Sequence, residues 1–570
     1  MELLRWGRSN IGASVFLRHS CSDGLTEYDW QMPTLLRSAL TAALLGVAVG
    51  CQPAARASQD PSQAPAVSLS GLPPVPSLIV LITVDQFRGD YIDRFSSQLE
   101  GGLARIARGA WFTNAHQDHG LTETAPGHAS LLSGRFPRST GIMANWAGVE
   151  DRASPLIGEP RAMGASPLRF RGTTLVDWIH ARDPRSRALS VSMKDRGAIL
   201  PIGRSKSEVY WYQPSGRFTT SSYYHTQLPG WVTAFNNRQL PQSFAGKSWT
   251  LLLPAAAYQE PDSVVYERSG QDFVFPHIFS ADSAQAASQV RTSPFIDEIT
   301  LDFALAGLSA MSLGNGGHTD VLAISLSGTD YIGHSYGSDS REMHDNMLRL
   351  DRNLGAFLDS LFRLRDSTRV AIVLSGDHGV GSMPELAPKS VQPSPIRVDD
   401  DPIAAVLTRL ALAANLDTAL IGMEHFMIAA DRGLAARRRA GLDSVLTAFA
   451  VEARKFPGVA RVERMRDLVR DTLNDPIARR WAHQIPAESN VEMVIVLTPY
   501  SIFKGIVATH GSPYDYDSNV PLILSGPWFV PGRYTEFVRT VDLAPTLAEV
   551  ARVKPTERID GVPLSRALKR

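Results

Sequence analysis

The sequence is short of cysteine, of net charge and of long apolar runs, and each shortage excludes something. Only Cys21 and Cys51 occur in the 570 residues. Beyond residue 51 there can be no internal disulfide, no thiolate metal site and no cysteine nucleophile. Any metal must be held by His, Asp and Glu. Lys+Arg and Asp+Glu are equal at 57 each, giving a formal net charge of zero. That balance gives no basis for a nucleic-acid partner or a strongly charged surface. Residues 33–51 are the only membrane-like stretch, and their apolar run, Ala39–Val49, is short for a membrane span. There is no internal repeat and no coiled-coil heptad.

The apolar run follows Arg37 and ends in Ala48-Val49-Gly50-Cys51. A basic flank and a small-residue end are marks of an export signal. The ending resembles a bacterial lipobox, with Cys51 as the lipidated first residue of the mature chain. Plain cleavage nearby, with Cys51 unmodified, is the alternative. Gln52 after the cysteine points to an outer-membrane destination by the same resemblance. Residues 1–31 fit no signal, and Met32 is read as an alternative start. Residues 52–76, rich in Ala, Ser, Pro and Gln, read as a disordered tether. The expected location is periplasmic or outer-membrane-anchored, with membrane contact only through the lipid.

Ser77–Val84 is a continuous β-branched run, the pattern of a strand buried on both faces of a parallel sheet. Similar runs occur at Val321–Leu326, Val370–Leu374, Val491–Leu497 and Pro521–Leu524. Helical periodicity lies between them, clearest over Glu342–Leu364, where Met343, Met347, Leu350, Leu354, Phe357 and Leu361 share a face. Alternating strands and helices predict an α/β fold, a doubly wound, mostly parallel sheet between helices. Inserted cap segments are expected at about 205–315, rich in aromatics, and 395–490. The Arg437-Arg438-Arg439 run in the second is read as a solvated helix face.

In doubly wound sheets ligands bind beyond the carboxyl ends of strands. Asp85, Asp330, Asp377 and His378 all lie just past such ends, His334 is four residues after Asp330, and His510 lies in ATHGSPYDYD. Imidazole and carboxylate are zinc ligands, and catalytic zinc sites keep an open position. Each pair alone is weak; together, with glycines beside them, they form a constellation. Leu121–Gly134 reads LTETAPGHASLLSG. Pro126 favours a helix start, so Thr124 is expected at the N-cap, where the helix end attracts anions. Its hydroxyl is either an ordinary cap or a nucleophile toward phosphate.

Asp85, TETAPGH, TDYIGH, SGDHG, THGSPYDYD and the late VDLAPTLAEV…IDGVPL together resemble the alkaline phosphatase superfamily over about residues 77–565. The resemblance implies two zinc ions, one held by Asp330, His334 and His510, the other by Asp85, Asp377 and His378 together with the nucleophile Thr124. Asn145, 21 residues after Thr124, is similar to the threonine-nucleophile branches. Lys194 and Arg196, in SMKDRG, are similar to the bacterial phosphatase branch alone. Sulfatases need a C/S-x-P-x-R motif, and His128 stands where its arginine would be. The resemblance thus implies a monomeric enzyme that hydrolyses small phosphate monoesters through a phosphothreonine intermediate, with Asn145, Lys194 and Arg196 on the phosphoryl oxygens. A phosphodiesterase of the same fold and a non-catalytic binding protein are the competing readings. Thr122 is a rival nucleophile, and His128 is expected to play a supporting role.

Overall fold

A computed structural model describes residues 73–569. The leader, the alternative start at Met32, the lipobox at Cys51 and most of the tether lie outside the described residues. The last tether residues are held in place: Trp528 Nε1 donates to Pro74 O and Thr319 Oγ1 to Pro76 O.

In chain order the elements that carry the argument are these. β1 is Leu78–Val84 and β2 is Ala110–His116. Helix α1, Thr124–Leu131, precedes β3, Ala188–Ser192, and α2, Asp195–Ile199. β4 (Glu208–Gln213) and β5 (Arg217–Thr219) form a hairpin. Helix α3 (Phe295–Ala310) leads to β6 (Asp320–Leu326), α4 (Gly328–Tyr336), α5 (Arg341–Leu364) and β7 (Val370–Gly376). Then come α6 (Asp401–Ala413), β8 (Ile421–Glu424), β9 (Met427–Ala430), α7 (Arg439–Ala453), β10 (Val459–Arg464), α8 (Pro476–Gln484) and β11 (Val491–Leu497). The chain closes with β12 (Asn519–Ser525), β13 (Gly532–Tyr534), β14 (Val538–Arg539) and α9 (Leu543–Ala551).

The main sheet has ten strands in the order β13-β2-β12-β7-β1-β6-β3-β4-β5, with β14 also paired to β2. β7, β1, β6, β3 and β4 are mutually parallel, whereas β12 runs against both neighbours. Alternate side chains of β1 enter two different cores. Leu78, Val80 and Ile82 pack with Met343, Leu350 and Phe357 of α5, and Ile79 and Leu81 pack with Ala129 of α1 and Leu547 of α9. This two-sided burial is the physical reason that β1 reads as an unbroken apolar run.

Two expectations about the inserts change. The aromatic run Tyr210-Trp211-Tyr212, assigned to an insertion from residue 205, lies in β4 of the main sheet, and α3 packs on the core beneath it. Val491–Leu497 is not a main-sheet strand. It is the third strand of a separate antiparallel sheet, β8-β9-β11-β10, covered by α6 and α7. Its Met493, Ile495 and Leu497 face that small core, while Val491, Val494 and Val496 face Trp481, Leu468 and Leu121. Burial on both faces makes it look like a parallel-sheet strand. The arginine run sits at the break before α7, exposed, with Arg439 paired to Glu492 at 2.7 Å.

The separate unit touches the main body through α8. Asp118, in the segment between β2 and α1, is 1% exposed and meets Arg479 at 3.1 Å, His483 at 3.3 Å and Arg480 at 3.6 Å. Burial alone would raise the Asp118 carboxyl, but hydrogen bonds from His483 and Arg479 hold it at about 2. Asp118→Asn is expected to lower stability by about 1.5–3 kcal/mol, because it weakens charge-assisted hydrogen bonds to the partly exposed Arg479 and His483, while the buried Arg480 keeps Asp515 at 2.8 Å. The folded-state pKa is depressed, so this stabilisation is present above the unfolded value of about 4 and is lost as pH falls towards 2. Urea midpoints at pH 7 and pH 3 check it: the mutant deficit should shrink at the lower pH.

Candidate active site

Strand register delivers the site. Thr83 lies opposite both Ser325 and Ser375, so β1, β6 and β7 end level with one another. Asp85 and Asp377 are the residues immediately past two of those ends. Ser192 pairs with Ser325, which puts Lys194 just past the end of β3. Asp330 lies in the first turn of α4, with His334 one turn further on the same face. β12 begins at the same edge, and the loop before it brings in His510.

Six of the expected residues form two groups. Asp330, His334 and His510 make one and Asp85, Asp377 and His378 the other, with the ligand atoms of each group within 4.8 Å of one another. His334 Nε2 and His510 Nε2 lie 3.3 and 3.4 Å from Asp330 Oδ1. His378 Nε2 lies 3.5 Å from Asp85 Oδ1 and 3.7 Å from Asp377 Oδ2, and the rings of His378 and His510 stack at 3.6 Å. In each histidine Nδ1 faces a backbone carbonyl: Ala508 O for His334, Thr122 O for His510 and Gly379 O for His378. Donation of Nδ1–H there fixes the tautomer and leaves the Nε2 lone pair turned to the carboxylates, the arrangement that metal-ligating histidines use. Asp85 and Asp377 are fully buried; Asp85 Oδ2 faces Lys194 Nζ at 2.7 Å and Asp377 Oδ2 faces His128 Nδ1 at 3.1 Å, whereas Asp85 Oδ1 has no hydrogen-bond partner among the described residues. Unpaired buried carboxylate oxygens are costly unless a cation faces them. The nitrogen and oxygen donors of each group, with the histidines presenting Nε2, suit a divalent metal ion.

The buried groups shift one another's proton affinities in opposite directions. Burial, with Asp330 and Asp377 nearby, pushes Asp85 up to about 7. Burial would also raise Asp330, but Lys194 and His334 hold it well below its ordinary value. Burial brings His378 down to about 3. It would do the same to His510, but the hydrogen bond and charge of Asp330 raise that ring to about 9.

Thr124 is the first residue of α1 rather than its N-cap, which is Glu123. The helix starts one residue earlier than expected because Asn145 supplies the missing acceptor: its Oδ1 takes the Ala125 N–H at 2.9 Å. Glu123 Oε2 in turn takes the Asn145 N–H at 2.7 Å. With Oδ1 engaged, the donor that the Asn145 amide has to offer is Nδ2. Thr122 uses its hydroxyl on Ser512 O and its carbonyl on His510, so it supports the site from behind. The Thr124 hydroxyl has Lys194 Nζ at 3.4 Å. That ammonium also meets Asp330 Oδ2 at 2.5 Å and Asp85 Oδ2 at 2.7 Å. Arg196 meets Asp195 at 3.7 Å, and its Nε has no hydrogen-bond partner among the described residues. His128 is fully buried, 3.1 Å from Asp377 Oδ2, with its other nitrogen on Ser325 Oγ at 2.8 Å. Gly127 lets α1 approach this closely, since a Cβ there would overlap the Asp377 carbonyl.

Comparison with known proteins gives the family. Residues 79–402 fit the family described as type I phosphodiesterase / nucleotide pyrophosphatase. The alkaline phosphatase PafA of Elizabethkingia meningoseptica is 30% identical over 87% of this chain and 95% of its own. The alkaline phosphatase PhoK of a Sphingomonas species is 31% identical over 85% and 90%. The crystal structure of PafA superposes with a TM-score of 0.81 at 28% identity, covering 87% of this chain and 99% of PafA. A PafA variant with one threonine, asparagine, lysine and arginine replaced superposes at 0.80. The chain belongs to the alkaline phosphatase superfamily. Within that superfamily it has the fold of PafA, a mostly parallel sheet flanked by helices.

Sequence reasoning missed three residues of this candidate site. Gln86 bridges Asp377 and Asp330, Glu123 holds Asn145, and Asp517 accepts both the backbone N–H and the hydroxyl of Ser512 beside His510. Glu123 and Asp517 stood inside quoted motifs, and Gln86 directly follows Asp85, but their roles are set by contacts across the fold.

Proposed function

We propose that the protein is a zinc-dependent phosphomonoesterase that acts outside the cytoplasm through a phosphothreonine intermediate. The observation that carries this reading is the Thr124 hydroxyl at the start of a helix, 3.4 Å from the buried Lys194 ammonium and beside two Asp/His groups. The four residue types replaced together in the PafA variant are those of Thr124, Asn145, Lys194 and Arg196. Export rests on the leader alone.

Asp330, His334 and His510 would hold one ion, and Asp85, Asp377 and His378 the other. Two zinc ions, when bound, supply positive charge for the attacking and leaving oxygens and lower the proton affinity of the nucleophile. Thr124 Oγ1 attacks phosphorus, the bond to the ester oxygen breaks, and the alcohol leaves. Water then attacks the phosphothreonine, frees phosphate and regenerates the hydroxyl. Asn145 Nδ2, Lys194 and Arg196 hold the non-bridging oxygens, where transition-state charge is spread.

The deciding experiment compares kcat/KM for a phosphate monoester and a diester with the same leaving group, with zinc counted per chain. The monoester should be preferred. A diester preference would move the protein to the phosphodiesterase reading. Chelation should abolish turnover and zinc restore it; full activity in zinc-free protein would end the two-zinc reading. His510→Ala removes one of three protein ligands from an ion, and should cost at least about 10- to 100-fold in zinc affinity, since even supporting residues cost that much.

A further inference from the structure

Gln86 is fully buried directly after Asp85, with φ at +64°, a conformation that residues other than glycine seldom adopt. Its backbone N–H donates to Asp377 Oδ1 at 3.1 Å. Its side-chain Nε2 donates to Asp330 Oδ1 at 3.0 Å. Asp377 belongs to one group of candidate ligands and Asp330 to the other. A single residue therefore ties both groups together while its own chain neighbour supplies a third carboxylate. The Asp330 oxygen it binds is the one that His334 Nε2 and His510 Nε2 face. Because β1 ends at Val84, the residue 86 N–H has left the strand ladder and reaches the Asp377 side chain instead. Across from Gln86, α4 leaves room for the amide: a Cβ on Gly333 would overlap Gln86 Oε1. Gly333 lies between Asp330 and His334 in sequence, where any other residue would displace the glutamine.

Resting on the two-zinc reading, we infer that Gln86 is a positioning residue that fixes the two metal groups relative to each other, with Gly333 as the space it occupies. It touches ligands and not substrate, so its effect runs through the orientation of the Asp330 carboxylate. Hydrogen-bond partners of metal ligands hold those ligands in the geometry that binds the ion.

The test is a zinc titration of the purified full-length protein against a competing chromogenic chelator, with the wild type alongside. Gln86→Gly keeps the backbone N–H and suits a positive φ, but removes the amide. Gly333→Ala displaces the same amide from the opposite side without touching Gln86, and serves if the first variant folds poorly. Each should weaken one of the two zinc sites by about 10- to 100-fold and leave the other close to wild type. Combining them should be no worse than Gln86→Gly alone, because the new methyl group enters space that the missing amide has left; this non-additivity marks a direct pair. A merely structural role would lower the melting temperature of the zinc-free protein and leave both affinities unchanged. Wild-type affinities in both variants overturn the inference. A wild type that binds no zinc overturns the metal reading itself, an outcome visible in the control and distinct from the first.

Discussion

Thr124→Ala is expected to lower kcat for a phosphate monoester by roughly 10³–10⁶-fold, the range that loss of a covalent nucleophile spans. The fold should survive. Thr124 is the first residue of its helix and not the cap, so alanine there removes no capping bond. The Ala125 N–H stays on Asn145 Oδ1 and the Asn145 N–H on Glu123. What disappears is one hydroxyl, whose contact with Lys194 Nζ at 3.4 Å contributes about 1 kcal/mol or less. Thr122→Ala is the control. Its hydroxyl bond to Ser512 O is lost, but its carbonyl still receives His510 Nδ1, so turnover should remain close to wild type. The direct readout is phosphate trapped on the protein after an acid quench: wild type should carry the label and Thr124→Ala none. A labelled Thr124→Ala protein, or a dead Thr122→Ala, would show that another oxygen attacks.

The residues that were legible in the sequence are those whose chemistry and strand position coincide. Asp85 and Asp377 end runs so apolar that a buried strand was the natural reading, and parallel register then brings those ends together. Asp330 and His334, four residues apart, are a weak pair alone and become legible only beside the other strand-end ligands; the structure puts both on one helix. β2 and β3 were not legible. β2 mixes Thr113, Asn114 and His116 with apolar residues, because part of its length is only half-buried. β11 was misplaced because burial on two faces looks the same in sequence whichever sheet supplies the cover. Gln86 and Glu123 escaped because nothing local marks them. A glutamine after a strand and a glutamate before a helix are ordinary until the fold brings Asp330 to one and Asn145 to the other.

The double variant Lys194→Ala/Arg196→Ala should separate monoesters from diesters. A monoester dianion carries a third charged oxygen that a diester replaces with an ester group. A charge-assisted hydrogen bond to such an oxygen contributes about 1.5–3 kcal/mol. Losing two should lower monoester kcat/KM by roughly 10²–10⁴-fold, since about 1.4 kcal/mol is tenfold. Diester turnover should fall far less. The alternative of a surface ion pair applies to neither residue fully: Lys194 is 5% exposed and faces Asp85 and Asp330, while Arg196 meets Asp195 only at 3.7 Å and its Nε has no hydrogen-bond partner among the described residues. The ammonium also shares its two carboxylates with the proposed metal sites, so its removal should leave zinc affinity equal or higher. A zinc count on the variant therefore distinguishes lost phosphate contacts from lost metal. An equal fall for both substrates with zinc retained would mean that the pair grips phosphate generally, and the monoester assignment would lose its main support.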